Sequence, residues 1–447
     1  MDSATAVLQG PAPDRLARGL RNVFRVLRGG RLGDFAAWSD EDLAGNAQGL
    51  AYALRASRWQ RRARLPDWPA VHAAWRARAA ATEQDGAAPS GRFAADDTWT
   101  LVTDNAQAFA LRDRLHAQAT RSIDLATFYI EADATGWRTA HALAACARRG
   151  VRVRVVADRQ ATLGKAFRDP QVLEVIRFLR AAGVAFRLFQ DAQRPFDACH
   201  RKLLLVDGRA LLLGGRNLAD HYAGPDWRDV ELLLEGPSAA LVQPLFDETF
   251  DNAPGRAPLP AGGLFQPTTP QGIADNAAFV FLLQRIREAR RTLDIENAYY
   301  FAHAPVHEAL AAAVRRGVRV RVFTNSAQSN DLPFMNHRLL AGFPALVEDG
   351  IALYLRQDEG RTLHGKYFIA DGEWVGFGSS NLDFYSPRFC LELGLHVRDR
   401  ALADRLGGWF EAGIAQARRV ADAQQLRAEP APGRASAWFD RLCRDIQ

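Results

Sequence analysis

An α/β fold built from two tandem repeats, preceded by a mostly helical segment, is the architecture the sequence predicts, and three observations predict it. The pattern H-x-K-x4-D occurs twice, as His200, Lys202, Asp207 and as His364, Lys366, Asp371, although the 447 residues hold only three lysines. Composition alone would give roughly 0.005 chance matches in such a chain. The surroundings repeat as well. Asn217 and Asn381 each fall seventeen places after their histidine, and Gly214 and Gly378 each fall fourteen after. Upstream, Arg121-Ser-Ile-Asp-Leu and Arg148-Arg-Gly-Val-Arg-Val-Arg-Val have counterparts starting at Arg291 and Arg315, so the duplication covers whole supersecondary units. Finally, apolar strands alternate with helices of about ten to fifteen residues, the pattern of a largely parallel sheet covered on both faces.

Taken in order, residues 1–95 lie outside the duplication and read as helical up to the Gly/Pro/Ser-containing stretch Asp85 to Gly91. Leu16, Leu20, Val23, Phe24 and Leu27 share one helical arc, with Arg15, Arg18, Arg21, Arg25 and Arg28 on the other. Such a helix either packs its stripe on a protein core or lies on an anionic membrane surface. The first repeat, 96–262, opens with a strand around Ser122 to Ile130, a helix from Trp137 to Arg149 and a strand from Val151 to Ala157. A Pro/Gly-rich joint, Asn252 to Gly263, leads into the second repeat, 263–425, whose counterparts are Val306 to Arg316 and Val318 to Thr324. A helix near Ala401 to Ala423 closes it, and 426–447 form a tail.

A net charge of +6 and a pI near 9.4 favour anionic partners, phospholipid head groups or nucleic acid. Four cysteines without C-x-x-C spacing argue against a disulfide framework or zinc site and for a reducing compartment. No stretch reaches the roughly eighteen apolar residues of a membrane span, so membrane contact is expected to be peripheral.

Within the paired motifs, Leu203 to Val206 and Tyr367 to Ala370 read as strands, so the histidine and the lysine two places on share a face. Each strand runs into Asp-Gly and a second apolar run, a hairpin signal that gives Asp207 and Asp371 a role as turn residues beside a chemical one. Gly214-Gly215 and Gly378-Ser379 allow close approach of a ligand, and the amides of Asn217 and Asn381 can donate to its oxygens. One such histidine alone would read as a core residue. The same His, Lys, Asn and Gly set occurring twice reads instead as a two-sided grip on one phosphodiester. The lysines and asparagines would neutralise and orient its oxygens without a metal, so no cofactor is expected, and two imidazoles would divide the proton work.

On these residues the chain resembles the phospholipase D superfamily, whose hallmark is a duplicated H-x-K-x4-D motif followed by Gly-Gly-x-Asn or Gly-Ser-x-Asn; the resemblance covers about residues 96–425. It implies two repeats packed about a pseudo-twofold axis around one active site. It also implies a catalytic set of His200, Lys202, Asp207, His364, Lys366 and Asp371, with Asn217, Asn381, Ser379 and Gly215 at the phosphate. One histidine, by family habit His200, would form a phosphohistidine while His364 serves as acid and then base. An acidic residue about 28 places after the histidine often orients an imidazole in that family; Glu392 lies 28 after His364 and Asp229 lies 29 after His200.

The segments from His200, Gly214, Thr324 and Gly378 are further similar to bacterial cardiolipin synthases. Phe384-Tyr385 stands where those enzymes commonly have Pro-Arg, and N-terminal membrane spans are missing. The implied function is phosphatidyl transfer to an alcohol such as phosphatidylglycerol, by a cytoplasmic enzyme peripheral on the inner membrane and acting on phospholipid. Hydrolysis to phosphatidic acid is the alternative. Nuclease activity ranks lower, so nucleic acid is not the expected partner, and the sequence leaves the oligomeric state open.

Overall fold

The computed structural model describes residues 66–84, 91–191, 194, 197–257, 263–301, 303–332, 336–357 and 361–427. The arginine-flanked stripe from Leu16 to Leu27 and the tail beyond Arg427 lie outside them; a helix, Trp68–Gln84, precedes the repeats. The first repeat supplies β1 (Thr98–Val102), β2 (Ser122–Thr127), β3 (Arg152–Asp158), β4 (Ala185–Phe189), β5 (Ala198–Cys199), β6 (Leu203–Val206), β7 (Ala210–Gly214), β8 (Trp227–Arg228) and β9 (Glu231–Glu235). The second supplies β10 (Phe265–Thr268), β11 (Thr292–Asn297), β12 (Arg319–Asn325), β13 (Ala352–Arg356), β14 (Thr362–Leu363), β15 (Lys366–Ala370), β16 (Trp374–Gly378), β17 (Cys390–Arg398) and β18 (Arg418–Arg419).

The two main sheets run β1-β9-β7-β6-β2-β3-β4 and β10-β17-β16-β15-β11-β12-β13-β18, so the same topology occurs twice. Along these two paths only β2-β3-β4 and β11-β12-β13 are parallel, and the sheets as a whole are mixed rather than largely parallel. The reason lies in the motif itself: Asp-Gly at 207–208 and at 371–372 adopts positive φ at both positions, the type I′ turn whose twist joins adjacent antiparallel strands. That turn pairs β6 with β7 and β15 with β16, and the chain then adds β9 and β17 antiparallel to these hairpins. The closing helix also ends sooner than the apolar pattern suggests. It spans Arg400–Ile414, after which the chain turns to lay β18 on the edge of β13.

Uninterrupted apolar runs reflect burial on both faces. Leu203, Leu205, Leu211 and Leu213 point into a core between the repeats, whereas Leu204, Val206 and Leu212 point into the first repeat's own core. Ile369, Val375, Phe377, Leu391, Leu393 and Leu395 fill the shared core from the second repeat, together with Phe246 and Phe410 from the helices Gln243–Phe250 and Arg400–Ile414. The repeated Arg and Asp residues pair identically in both copies. Arg154 forks onto Asp124 at 2.7 and 2.8 Å, and Arg321 forks onto Asp294 at 2.6 and 2.8 Å.

Two short parallel pairings decide where the site lies. β5 of the first repeat pairs with β17 of the second, and β14 of the second pairs with β8 of the first. Each pairing delivers a motif histidine at its end: His200 N donates to Leu391 O (3.0 Å) and His364 N donates to Arg228 O (2.7 Å). The histidines are therefore held by the opposite repeat.

Candidate active site

Side chains follow the same exchange. His200 Nδ1 bonds Glu392 Oε1 at 2.8 Å, and His364 Nδ1 bonds Asp229 Oδ2 at 2.8 Å. Each acid orients the imidazole of the other repeat, not the one 28 or 29 places before it. The one-residue difference in spacing is absorbed before the strands pair. Gly214 pairs with Glu231 and Gly378 with Gly394, so Asp229 and Glu392 both stand two places ahead of the residue opposite the glycine. With Nδ1–H given to a carboxylate, Nε2 of each ring carries the lone pair that chemistry needs.

Both imidazoles and both carboxylates are buried. Burial, reinforced by Lys202 and Lys366, lowers the pKa of His200 against the pull of Glu392, and lowers that of His364 well below its ordinary value. Both rings are thus neutral before substrate arrives. Burial also raises Asp229, an effect opposed by Arg216 and Lys366. Lys202 Nζ turns back to His200 O at 2.9 Å and Lys366 Nζ to His364 O at 2.7 Å, so each ammonium sits beside its own histidine. Burial pulls Lys202 down to about 7 against Glu392, and Lys366 down to about 8 against Asp229. The two lysines repel one another across the site, and an anion placed between them would relieve that repulsion and recharge both.

The remaining residues of the sequence reading separate into contributors and supports. Asp207 and Asp371 are corrected from catalytic to structural. Asp207 accepts from the amides of Thr120 (2.9 Å), Arg121 (2.7 Å) and Ser122 (2.8 Å) and from Thr120 Oγ1 (2.8 Å). Asp371 accepts from Arg290, Arg291 and Thr292 amides at 2.9, 2.7 and 3.0 Å. Burial would raise both carboxyls, but these amides outweigh it and hold them below their ordinary range. Each aspartate pins its hairpin turn to the loop entering β2 or β11, roughly 16 Å from the lysine by strand rise.

Ser379 and Gly215 lie against the orienting acids. Ser379 Oγ donates to Glu392 Oε2 at 2.5 Å, whereas a Cβ at Gly215 would lie 2.5 Å from Asp229 Oδ1. Gly214 and Gly378 are small because neighbouring strands pass close: a Cβ would meet Val230 O at 2.7 Å and Leu393 O at 2.3 Å. Asn217 is engaged within its own repeat, donating to Tyr222 OH at 2.6 Å and accepting from Phe128 N at 3.1 Å. Asn381 differs, since its Oδ1 is buried with no partner among the described residues.

The sequence reading missed the aromatic lining. Phe128 packs 4.9 Å from the His200 ring, and Trp227 and Tyr222 pack 5.2 and 5.5 Å from the His364 ring. Tyr129 and Tyr299 also went unnoticed, although they hold the same place after β2 and β11 and so carried a repeat signal. The third lysine, Lys165, lies 4.1 Å over the Tyr129 ring and pairs with Glu131, so every lysine of the chain stands at or beside the site.

Comparison with known proteins agrees with this construction. The sequence profile described as "Cardiolipin synthase, PLD-like domain" matches residues 113–252 and 282–414. Cardiolipin synthase B of Escherichia coli K12 is 30% identical, over 67% of this chain and 77% of that protein. Cardiolipin synthase A of Pseudomonas entomophila is 31% identical, over 68% of this chain and 66% of that protein. Among solved structures, phosphatidylserine synthase of Haemophilus influenzae Rd KW20 superposes with a TM-score of 0.65 at 15% identity, covering 82% of this chain and 97% of that one. A polyphosphate kinase from Porphyromonas gingivalis shares the fold at a TM-score of 0.53 and 17% identity, over 81% of this chain and 55% of that one. With two matched segments, two complete motifs and one dyad between them, the chain belongs to the phospholipase D superfamily, in its cardiolipin synthase-like branch.

Proposed function

We propose that the protein transfers a phosphatidyl group from a phospholipid to an alcohol, with phosphatidylglycerol as the acceptor that yields cardiolipin. The observation that carries the reading is the reciprocal dyad, in which two neutral imidazoles are each oriented at Nδ1 by a buried acid of the other repeat, with an ammonium beside each. His200 Nε2 attacks phosphorus and the P–O bond to the leaving alcohol breaks; His364, neutral in the free site, takes up a proton at Nε2 when the phosphodiester anion binds and passes it to that oxygen. The incoming alcohol then gives its proton to His364 while its oxygen displaces His200 from phosphorus. Lys202 and Lys366 balance the non-bridging oxygens, whose charge grows in both transition states.

The relatives named cardiolipin synthase support the choice of lipid over nucleic acid, and with it work at the surface of a bilayer. Among the described residues no helix is long and apolar enough to cross a membrane. Vesicles of labelled phosphatidylglycerol, incubated with the purified protein without added metal, should give cardiolipin and glycerol, and His200→Ala should abolish both products. Phosphatidic acid in place of cardiolipin would make the enzyme a hydrolase. Lipid phosphodiesters left intact by folded protein would overturn the reading.

A further inference from the structure

The two sides of the dyad are chemically different, and the difference bears on the alcohol. If His200 is the nucleophile, the leaving alcohol departs and the acceptor enters on the side of His364. Whatever polar groups stand there meet the part of the alcohol beyond its reacting oxygen. From the first repeat, Tyr222 packs against the His364 ring; its hydroxyl accepts from Tyr129 OH at 3.2 Å, and Tyr129 OH meets His221 Nε2 at 3.2 Å. From the second repeat, Tyr299 OH donates to Asp331 Oδ1 at 2.6 Å. The segment that carries Asp331 is tied to the strand that ends at His364, since Thr362 Oγ1 donates to Ser329 O at 3.0 Å and Leu363 N to Asn325 Oδ1 at 2.8 Å. That strand pairs with β8 beside Trp227, and Asp331 there is close enough to act electrostatically on Tyr129 and Tyr222.

Asp331 is the telling member. It is exposed to solvent and so within reach of an entering alcohol. Tyr299 occupies only Oδ1 and fixes the carboxylate in place. A carboxylate there works against binding a phosphodiester anion, and the transfer steps do not use it. What it does well is accept a hydrogen bond from an uncharged hydroxyl. The pseudo-twofold does not reproduce this wall, because Tyr385 and Ser386 stand where the first repeat has His221 and Tyr222.

We infer that the wall beside His364 is a subsite for a vicinal diol, with Asp331 and Tyr299 receiving the hydroxyl next to the reacting one, so that glycerol-type alcohols are selected over simple ones. The inference rests on the proposed transfer reaction and adds its specificity. Leaving glycerol and the glycerol head of an acceptor lipid would use the same subsite in turn.

The test is a competition from one intermediate. Vesicles of phosphatidylglycerol are incubated with deuterated glycerol and 1-propanol together, and labelled phosphatidylglycerol is weighed against phosphatidylpropanol by mass spectrometry. Because both alcohols partition the same phosphohistidine, the ratio is independent of how fast that intermediate forms. Asp331→Asn should lower the glycerol-to-propanol ratio at least tenfold, since a site built to hydrogen-bond a hydroxyl discriminates strongly against the analogue lacking it. Tyr299→Phe, which removes one hydroxyl and little volume, should lower it about threefold, as expected for weakening one hydrogen bond. A ratio unchanged in both variants, with wild type making both lipids, would overturn the subsite alone. Wild type making neither would sink the transfer reading together with the subsite.

Discussion

Behind each motif lysine the two repeats enclose the same space and fill it differently. In the first repeat, behind Lys202, Arg112 forks onto Glu231 at 2.8 and 2.5 Å, Arg216 approaches Glu231 at 3.4 Å, and a gap of only about 10 Å³ remains. In the second, behind Lys366, the matching positions hold Leu282, Gly394 and Ser380, and a mostly apolar cavity of about 50 Å³ is left. The backbone pairings, the orienting acids and the lysines were kept through duplication, while the packing behind them changed from an ion network to small and apolar groups. What the chemistry requires of this layer is therefore support for the lysine, which buried ions and apolar atoms can both give.

Disabling one histidine tests most directly whether the repeats form one site. His200→Ala and His364→Ala should each lower turnover by about 10⁴-fold or more, and the double variant hardly further, because the rings act as a unit. Two half-active single variants in a cardiolipin assay would mean two independent sites. The exchanged acids come next. Asp229→Asn should lower kcat/KM by about 10² to 10⁴-fold through loss of the His364 tautomer, although Asp229 belongs to the other repeat. A loss below threefold would show that the contact is incidental.

The hairpin aspartates should separate stability from turnover. Asp207→Ala removes four hydrogen bonds and should cost about 2 to 4 kcal/mol in urea unfolding, yet change kcat of the folded fraction less than tenfold. A collapse of kcat with stability intact would restore Asp207 to the chemistry. In the ion network, Arg112→Leu alone should destabilise by about 3 to 5 kcal/mol, because Glu231 keeps its charge without its fork. Combining Arg112→Leu with Glu231→Gly and Arg216→Ser, which copies the second repeat, should recover most of that loss if the repeats are interchangeable in this layer.

The smallest effect is a displacement in pH. The protonated His364 that transfer needs becomes scarcer as pH rises above its lowered pKa, and loss of charge on Lys202 and Lys366, at about 7 and 8, steepens the decline of kcat/KM through pH 7 to 8, well short of 10. His200, neutral to below its ordinary range, puts the acid limb under pH 6.5. An alkaline limb near 10 would mean that the lysines are not desolvated in the free enzyme.

Much of this was legible in the sequence because strands buried on both faces leave unbroken apolar runs, and because duplication printed His, Lys and Asn twice. The sheet was misread as largely parallel because the strand and helix alternation belongs to β2-β3-β4 and β11-β12-β13 only, while the Asp-Gly turns already signalled the antiparallel remainder. The exchange of acids could not be read, since spacing within a repeat says nothing about which repeat's β17 or β9 a histidine reaches. Asp331 closes the run from Thr324 that resembles cardiolipin synthases, but its role was not legible, because no counterpart in the first repeat marks it and only the folded chain brings it to Tyr299.

The crossing of β5 onto β17 and of β14 onto β8 also sets when activity can begin during synthesis. A ribosome that has made the whole first repeat has released His200 without the carbonyl that anchors it or the carboxylate that aims it. Both arrive only with Leu391 and Glu392, the acid 192 residues further along the chain. Reactivity toward phosphodiesters is thereby withheld from every shorter nascent chain.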